Sequence, residues 1–278
     1  MKTKNLYVYL ALAISLPAHA ELSLSGSPSI VDRTELNKDY TALAKLLSKE
    51  LDEPVHYVPP VSCQDYPQAL RKGQYDLIVD GSHVAAWRIA KGLHKPVAEA
   101  QGTLDYLVVV PASNTTIHSA EQLINRTVCV KASPNLSTLI FIEQFPNPMQ
   151  QPELRIFDDQ ARKPQKLLSG ECDAAVLPAS VYQNKFDLAT QAKLRVAYKL
   201  APLPSNVLTA SDKLSAEKRN ALAKHLSTAN PASDPLLQAL NKVGVNGEDP
   251  SNVRWAEVKT NALQGFDKIL TKNAYGWN

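Results

Sequence analysis

The sequence predicts an α/β protein of two lobes, each a mainly parallel sheet flanked by helices, with a cleft between them. Two observations carry this. Short apolar runs alternate with amphipathic stretches at helical spacing, the pattern of right-handed crossovers between parallel strands. The alternation also comes in two sets, separated by apolar strands near residues 104 and 198, so the chain leaves one lobe, builds a second and returns. This places lobe one at 21–103 plus 199–278 and lobe two at 104–198.

The first twenty residues read as a secretory signal: Lys2 and Lys4, an apolar run from Leu6 to Leu16, then Pro17-Ala18-His19-Ala20 as a cleavage site. The residue directly after Ala20 is Glu21 and not a cysteine, so a lipid anchor is not expected, and the run is short for a membrane span. The destination implied is a bacterial periplasm. Of the formal charge of +3, two units belong to this leader, leaving the remainder close to neutral. Dispersed charge without a basic tail excludes a nucleic-acid footprint.

Lobe one is expected to hold strands at Leu22–Gly26, Pro54–Val58 and Tyr75–Val79, with helices at Asp39–Leu51, Tyr66–Lys72 and through about Ala90. Lobe two opens on Leu104–Val110 and continues with a short helix at Ser119–Leu123, then a strand at Thr127–Ala132 and a helix at Ser137–Gln144. A strand at Leu154–Phe157, a helix at Ala161–Leu168 and a strand at Cys172–Leu177 follow, then a helix at Val181–Phe186 and a strand at Leu194–Tyr198. Pro202 and Pro204 interrupt the chain before a strand at Asn206–Ala210 and closing helices at Ala216–Leu226, Asp234–Lys242 and Trp255–Leu270. Asp159 and Ser215 stand where helix caps belong.

Three cysteines in an oxidising compartment allow one disulfide. Cys129 and Cys172 are the expected pair because both fall in lobe two, whereas Cys63 falls in lobe one. Catalytic signatures are missing: there is no H-E-x-x-H, no G-x-S-x-G and no phosphate loop. The single S-x-x-K match, Ser215 to Lys218, is better explained as a cap. Scattered histidines and the absence of C-x-x-C spacing argue against a metal carrier, and no cofactor is expected.

What the sequence does repeat is one junction type. Asp80-Gly81-Ser82-His83 in lobe one and Ser133-Pro134-Asn135-Leu136-Ser137-Thr138 in lobe two both lie where a strand ends and a helix begins. The first amides of a helix lack internal partners and its dipole favours negative charge, so such junctions suit anions. In open α/β sheets, ligands bind outside the carboxyl ends of the strands. The candidate site is therefore Asp80, Gly81, Ser82 and His83 facing Ser133, Asn135, Ser137 and Thr138, with Ser27 contributing from the end of the first strand.

This ordering resembles the phosphate/phosphite/phosphonate-binding proteins of ATP-driven importers, a branch of the type II periplasmic solute-binding fold. The resemblance runs through Tyr40-Thr41-Ala42-Leu43-Ala44, Leu70 to Leu77 leading to Gly81, Leu107 to Pro111 with Ser119 to Leu123, Leu168 to Val176, and Pro202 to Ser211. Where the family commonly shows a Ser-Thr-Ser-Gly-like run, this chain reads Asn135-Leu136-Ser137-Thr138, and the family's Gly-Pro with a nearby tyrosine is replaced by Gly81-Ser82-His83. The resemblance implies a non-enzymatic, monomeric clamp that closes on a small oxyanion and is read by a membrane ABC permease. The alternatives are a ligand-sensing subunit for the periplasmic domain of a sensor kinase and, less favoured, an enzyme on the same fold.

Overall fold

The computed structural model describes residues 21–28, 33–157, 159–244, 252–259, 261–274 and 276–278; the expected leader lies outside them. Strands β1 (Leu22–Gly26), β2 (Val55–Tyr57) and β3 (Leu77–Asp80) alternate with helices α1 (Arg33–Leu51), α2 (Tyr66–Arg71) and α3 (Ser82–Ala90), and β4 (Lys95–Ala100) follows. The chain passes through β5 (Thr103–Leu104) into β6 (Tyr106–Pro111), β7 (Thr127–Val130), α4 (Leu136–Glu143), β8 (Glu153–Ile156) and α5 (Lys163–Leu168). Next come β9 (Ala174–Pro178), α6 (Ala179–Lys185), α7 (Leu188–Ala192) and β10 (Leu194–Lys199). It returns through β11 (Leu203–Pro204) to β12 (Val207–Ala210), α8 (Ala216–Thr228), α9 (Pro235–Gly244), β13 (Trp255–Ala256) and α10 (Phe266–Asn273).

Two large sheets result, in the orders β13-β4-β12-β3-β1-β2 and β10-β6-β9-β7-β8. Both are mixed. Strands β2, β1 and β3 of the first and β8, β7 and β9 of the second run parallel, as βα alternation requires, while the returning strands add antiparallel partners. The strands read as crossovers near Leu104–Val110 and Leu194–Leu200 lie mostly inside the second sheet, as β6 and β10. Between the sheets runs a two-residue antiparallel pair, β5 with β11.

β3 and β6 are buried on both faces, which explains the apolar runs Leu77–Val79 and Tyr106–Val110 within them. Leu77 and Val79 join one core with Leu43, Leu47 and Leu237. Ile78 faces a second core that includes Val108 and Val128 of the other sheet, Leu136 and Leu139 of α4, and Ile269 and Leu270 of α10. One apolar cluster thus spans both lobes. At its edge Glu143 of α4 accepts from Asn273 Nδ2 at 3.1 Å and lies 3.6 Å from Lys272 Nζ.

The cap expected at Ser215 holds, its Oγ accepting from the Lys218 amide at 3.2 Å. Asp159 Oδ1 accepts from the Ala161 amide at 3.0 Å, but it caps a 3-10 turn at Gln160–Arg162, and α5 begins only at Lys163 with no side-chain cap. The helix expected over Trp255–Leu270 does not form as one piece. Trp255 instead pairs with Ala100 at the edge of the first sheet, and Gly265 adopts φ 84, a left-handed turn that starts α10 afresh.

Cys129 and Cys172 form the disulfide, with Cα atoms 5.8 Å apart, inside a small cluster with Val109, Leu167 and Leu177. It closes a separation of 43 residues, so the double Cys→Ser variant should lose about 2–4 kcal/mol of stability, read from urea unfolding midpoints. Identical midpoints would mean that the bond constrains nothing the core does not already hold.

Candidate functional site between the lobes

The first junction is built on a buried ion pair. β3 ends at Asp80, whose carboxylate is gripped by both terminal nitrogens of Arg88, at 2.6 and 2.8 Å, with neither side chain exposed. Arg88 lies two turns along α3, so the pair ties the helix back to the strand that feeds it. Tyr66 donates to the same carboxylate at 3.3 Å. Arg88 also donates to Thr209 Oγ1 of β12 at 2.8 Å; Thr209 in turn donates to His94 Nδ1 at 3.0 Å, and His94 Nε2 donates to the Tyr75 carbonyl at 3.1 Å. Strand, helix and neighbouring strand are thereby held in one fixed relation.

Gly81 is the N-cap of α3, and no side chain caps that helix start. His83 folds back over the turn: a Cβ at Gly81 would sit 2.7 and 2.8 Å from its ring atoms, so only glycine admits the ring there. Its Nε2–H donates to the Pro134 carbonyl at 3.0 Å, a bond between the two lobes. His83 Nδ1 is buried and has no hydrogen-bond partner among the described residues. Burial lowers the His83 pKa to about 4 and that of His94 to about 3, so both rings are neutral near pH 7.

The second junction follows β7. Asn135 caps α4, its Oδ1 accepting from the Ser137 amide at 3.2 Å and the Ser137 hydroxyl at 2.7 Å. Thr138 donates to the Lys131 carbonyl at 2.8 Å. The buried hydroxyls of Ser137 and Thr138 are engaged by the framework, and Ser82 likewise donates to the Pro204 carbonyl at 3.0 Å.

Between the junctions lies a cavity of about 200 Å³. Of the residues expected from sequence, Ser27, Asp80, Gly81, His83 and Asn135 line it, although the Asp80 carboxylate itself is committed to Arg88 and Tyr66. Ser82, Ser133, Ser137 and Thr138 do not line it; three of these have engaged hydroxyls, and Ser133 is exposed on its turn. Tyr40, Tyr106, Lys131 and Asn206 add further polar groups to the wall, beside apolar residues such as Leu104 and Leu136, and were not expected as site residues. Lys131 directly follows β7, which ends at Val130, two residues short of the strand end expected from the sequence. A second chamber of about 400 Å³ adjoins the first and shares Leu104, Tyr106, Lys131 and Asn135 with it.

Two sheet-centred lobes with a polar cavity at their meeting edge define a solute-binding receptor. The family of ABC-transporter phosphonate periplasmic substrate-binding proteins matches residues 26–253, and the chain belongs to it. Among solved structures, XAC2383 from Xanthomonas citri bound to ATP is similar at 14% identity and TM-score 0.71, over 91% of this chain and 97% of that one. PhnD1 from Prochlorococcus marinus in complex with methylphosphonate is similar at 16% identity and TM-score 0.69, over 91% and 97%. A binding-protein component of an ABC phosphonate transporter from Pseudomonas aeruginosa is similar at 13% identity and TM-score 0.63, over 92% and 87%. At these identities the likeness is one of fold. No curated protein matches the chain.

Two consequences are measurable. A ring neutral in the folded state but able to protonate near pH 6.5 when released makes the unfolded chain bind more protons between pH 6.5 and 4, so stability is full above that window and falls within it. His83 alone accounts for roughly 3 kcal/mol of that fall at most. Urea unfolding should therefore show a shallower decline between pH 7.5 and 4.5 in His83→Gln than in wild type. Removing half of the buried pair with Asp80→Asn should cost about 3–5 kcal/mol, because the Arg88 charge remains enclosed; an unchanged unfolding midpoint would contradict the role given to it.

Proposed function

We propose that the chain captures an oxyanion of the phosphate or phosphonate kind in the smaller cavity and presents it, in the periplasm, to a membrane ABC permease. The observation that carries this reading is the meeting of two strand-to-helix junctions, one from each sheet, across a single cavity, bridged by the His83–Pro134 hydrogen bond. The uncapped start of α3 offers amide donors and positive dipole, Lys131 brings a formal positive charge, and Asn135 and Asn206 add polar side chains at the wall. Binding, rather than turnover, is the work of the site. Phosphorus-bearing ligands in two structural neighbours, ATP and methylphosphonate, agree with the class of anion.

In this reading residues 21–103 and 199–278 form one lobe and 104–198 the other, and the β5–β11 pair lies where they pivot. Ligand contacts from both lobes favour the closed form, which the permease then recognises. Stabilisation follows the logarithm of ligand concentration over Kd and reaches about 2.7 kcal/mol at one hundred times Kd. Thermal melting in millimolar phosphate, phosphite, methylphosphonate, sulfate or arsenite should show an upward shift for at least one phosphorus oxyanion. Lys131→Met should remove most of it. Flat melting curves across the whole panel would refute the oxyanion site.

A further inference from the structure

The second chamber is too large to be explained by the anion that the first one suits. At about 30 Å³ per water, its 400 Å³ corresponds to roughly a dozen waters. An inorganic oxyanion or methylphosphonate has about as many heavy atoms as the smaller chamber alone accommodates. Taken together the chambers fall within the roughly 300–1,000 Å³ typical of sites for organic ligands. They share Leu104, Tyr106, Lys131 and Asn135 in their walls, so a molecule anchored in one lies against residues that also line the other.

The walls of the larger chamber specify what enters. Ser180, Gln183 and Asn184 stand at i, i+3 and i+4 on α6 and so share one helix face, turned to this space. Across from them come Thr103 and Asp105, whose side chains are joined by a 3.0 Å hydrogen bond. Leu104 and Val181 supply apolar surface between these polar groups. Hydroxyl and amide groups that both donate and accept, set beside an apolar strip, match a substituent with hydroxyls on a carbon skeleton. The only carboxylate in the chamber's lining for an ammonium group is that of Asp105, which is exposed, already accepts from Thr103, and shares the chamber with Lys131; an exposed ion pair adds little affinity.

We infer that the ligand is an organic phosphate or phosphonate bearing an uncharged, hydroxylated substituent, with its anionic head in the smaller chamber and its substituent against α6. This rests on the reading of the smaller chamber as the oxyanion site. Calorimetric titration of the purified protein with inorganic phosphate, methylphosphonate, 2-aminoethylphosphonate, glycerol 3-phosphate and ribose 5-phosphate separates the two. The expected result is that the tighter of the two hydroxylated esters binds at least tenfold more tightly than methylphosphonate and 2-aminoethylphosphonate. The Gln183→Ala/Asn184→Ala variant should lose most of that margin while its affinity for methylphosphonate stays within about twofold, which also shows that it is folded. Equal or tighter binding of phosphate, methylphosphonate or 2-aminoethylphosphonate would overturn the substituent assignment and leave the oxyanion site standing. Retention of the full margin in the double variant would overturn the role of α6. No binding by any of the five would overturn the oxyanion reading itself.

Discussion

The bidentate contact between Asp80 and Arg88 is the constraint on which the geometry of the cleft depends. Both groups are enclosed, and charge in a low-dielectric interior is tolerated when it is paired and hydrogen-bonded. Tyr66 and Thr209 add to the pairing, although Arg88 Nε has no hydrogen-bond partner among the described residues, and His94 extends the network to Tyr75, so a polar chain crosses the first sheet from α2 to β12. Because Arg88 belongs to α3 and Asp80 to the strand feeding it, the helix cannot tilt without breaking the pair. The start of α3 is therefore held at a fixed place, and with it Gly81, the His83 ring and the hydrogen bond that reaches the other lobe.

The two junctions solve the same local problem differently. α4 satisfies its first turn internally through Asn135, and its hydroxyls close onto their own loop. α3 begins at a glycine with no side-chain cap. A helix start left without such a cap next to a polar cavity is suited to an external anion, whereas a self-capped one is suited to shaping the wall. The asymmetry means that a run rich in serine and threonine marks the loop that needs internal bonds, not the surface that meets solvent.

That difference explains what could be read from the amino-acid order. Alternating apolar and amphipathic segments betray βα units because their periodicities are local, and Ser215 caps α8, and Asp159 the 3-10 turn before α5, through contacts only two or three residues away. Pairing of Cys129 with Cys172 followed from the lobe assignment. β4 was not legible: Lys95, Pro96 and Glu99 look like loop residues, and the strand exists because distant β12 and β13 flank it. Trp255 likewise obeys its partner Ala100 rather than the helical spacing around it. Among residues that line the smaller cavity, Gly81, His83 and Asn135 could be picked out from the junctions. Tyr40 and Asn206 could not, since a tyrosine in an amphipathic helix and an asparagine before a strand carry no signal until the sheet brings them together.

The apolar cluster shared by the two lobes carries a thermodynamic consequence. Leu136 and Leu139 of α4 lie in the same core as Ile269 and Leu270 of α10, so parting the lobes would hydrate hydrocarbon as well as break polar contacts. Apolar hydration raises heat capacity. In the proposed hinge motion, opening would therefore carry a positive heat-capacity change. The balance between the proposed open and shut forms would then curve with temperature, and warming from the cold would first strengthen the grip of the lobes on each other before the chain's own unfolding intervenes.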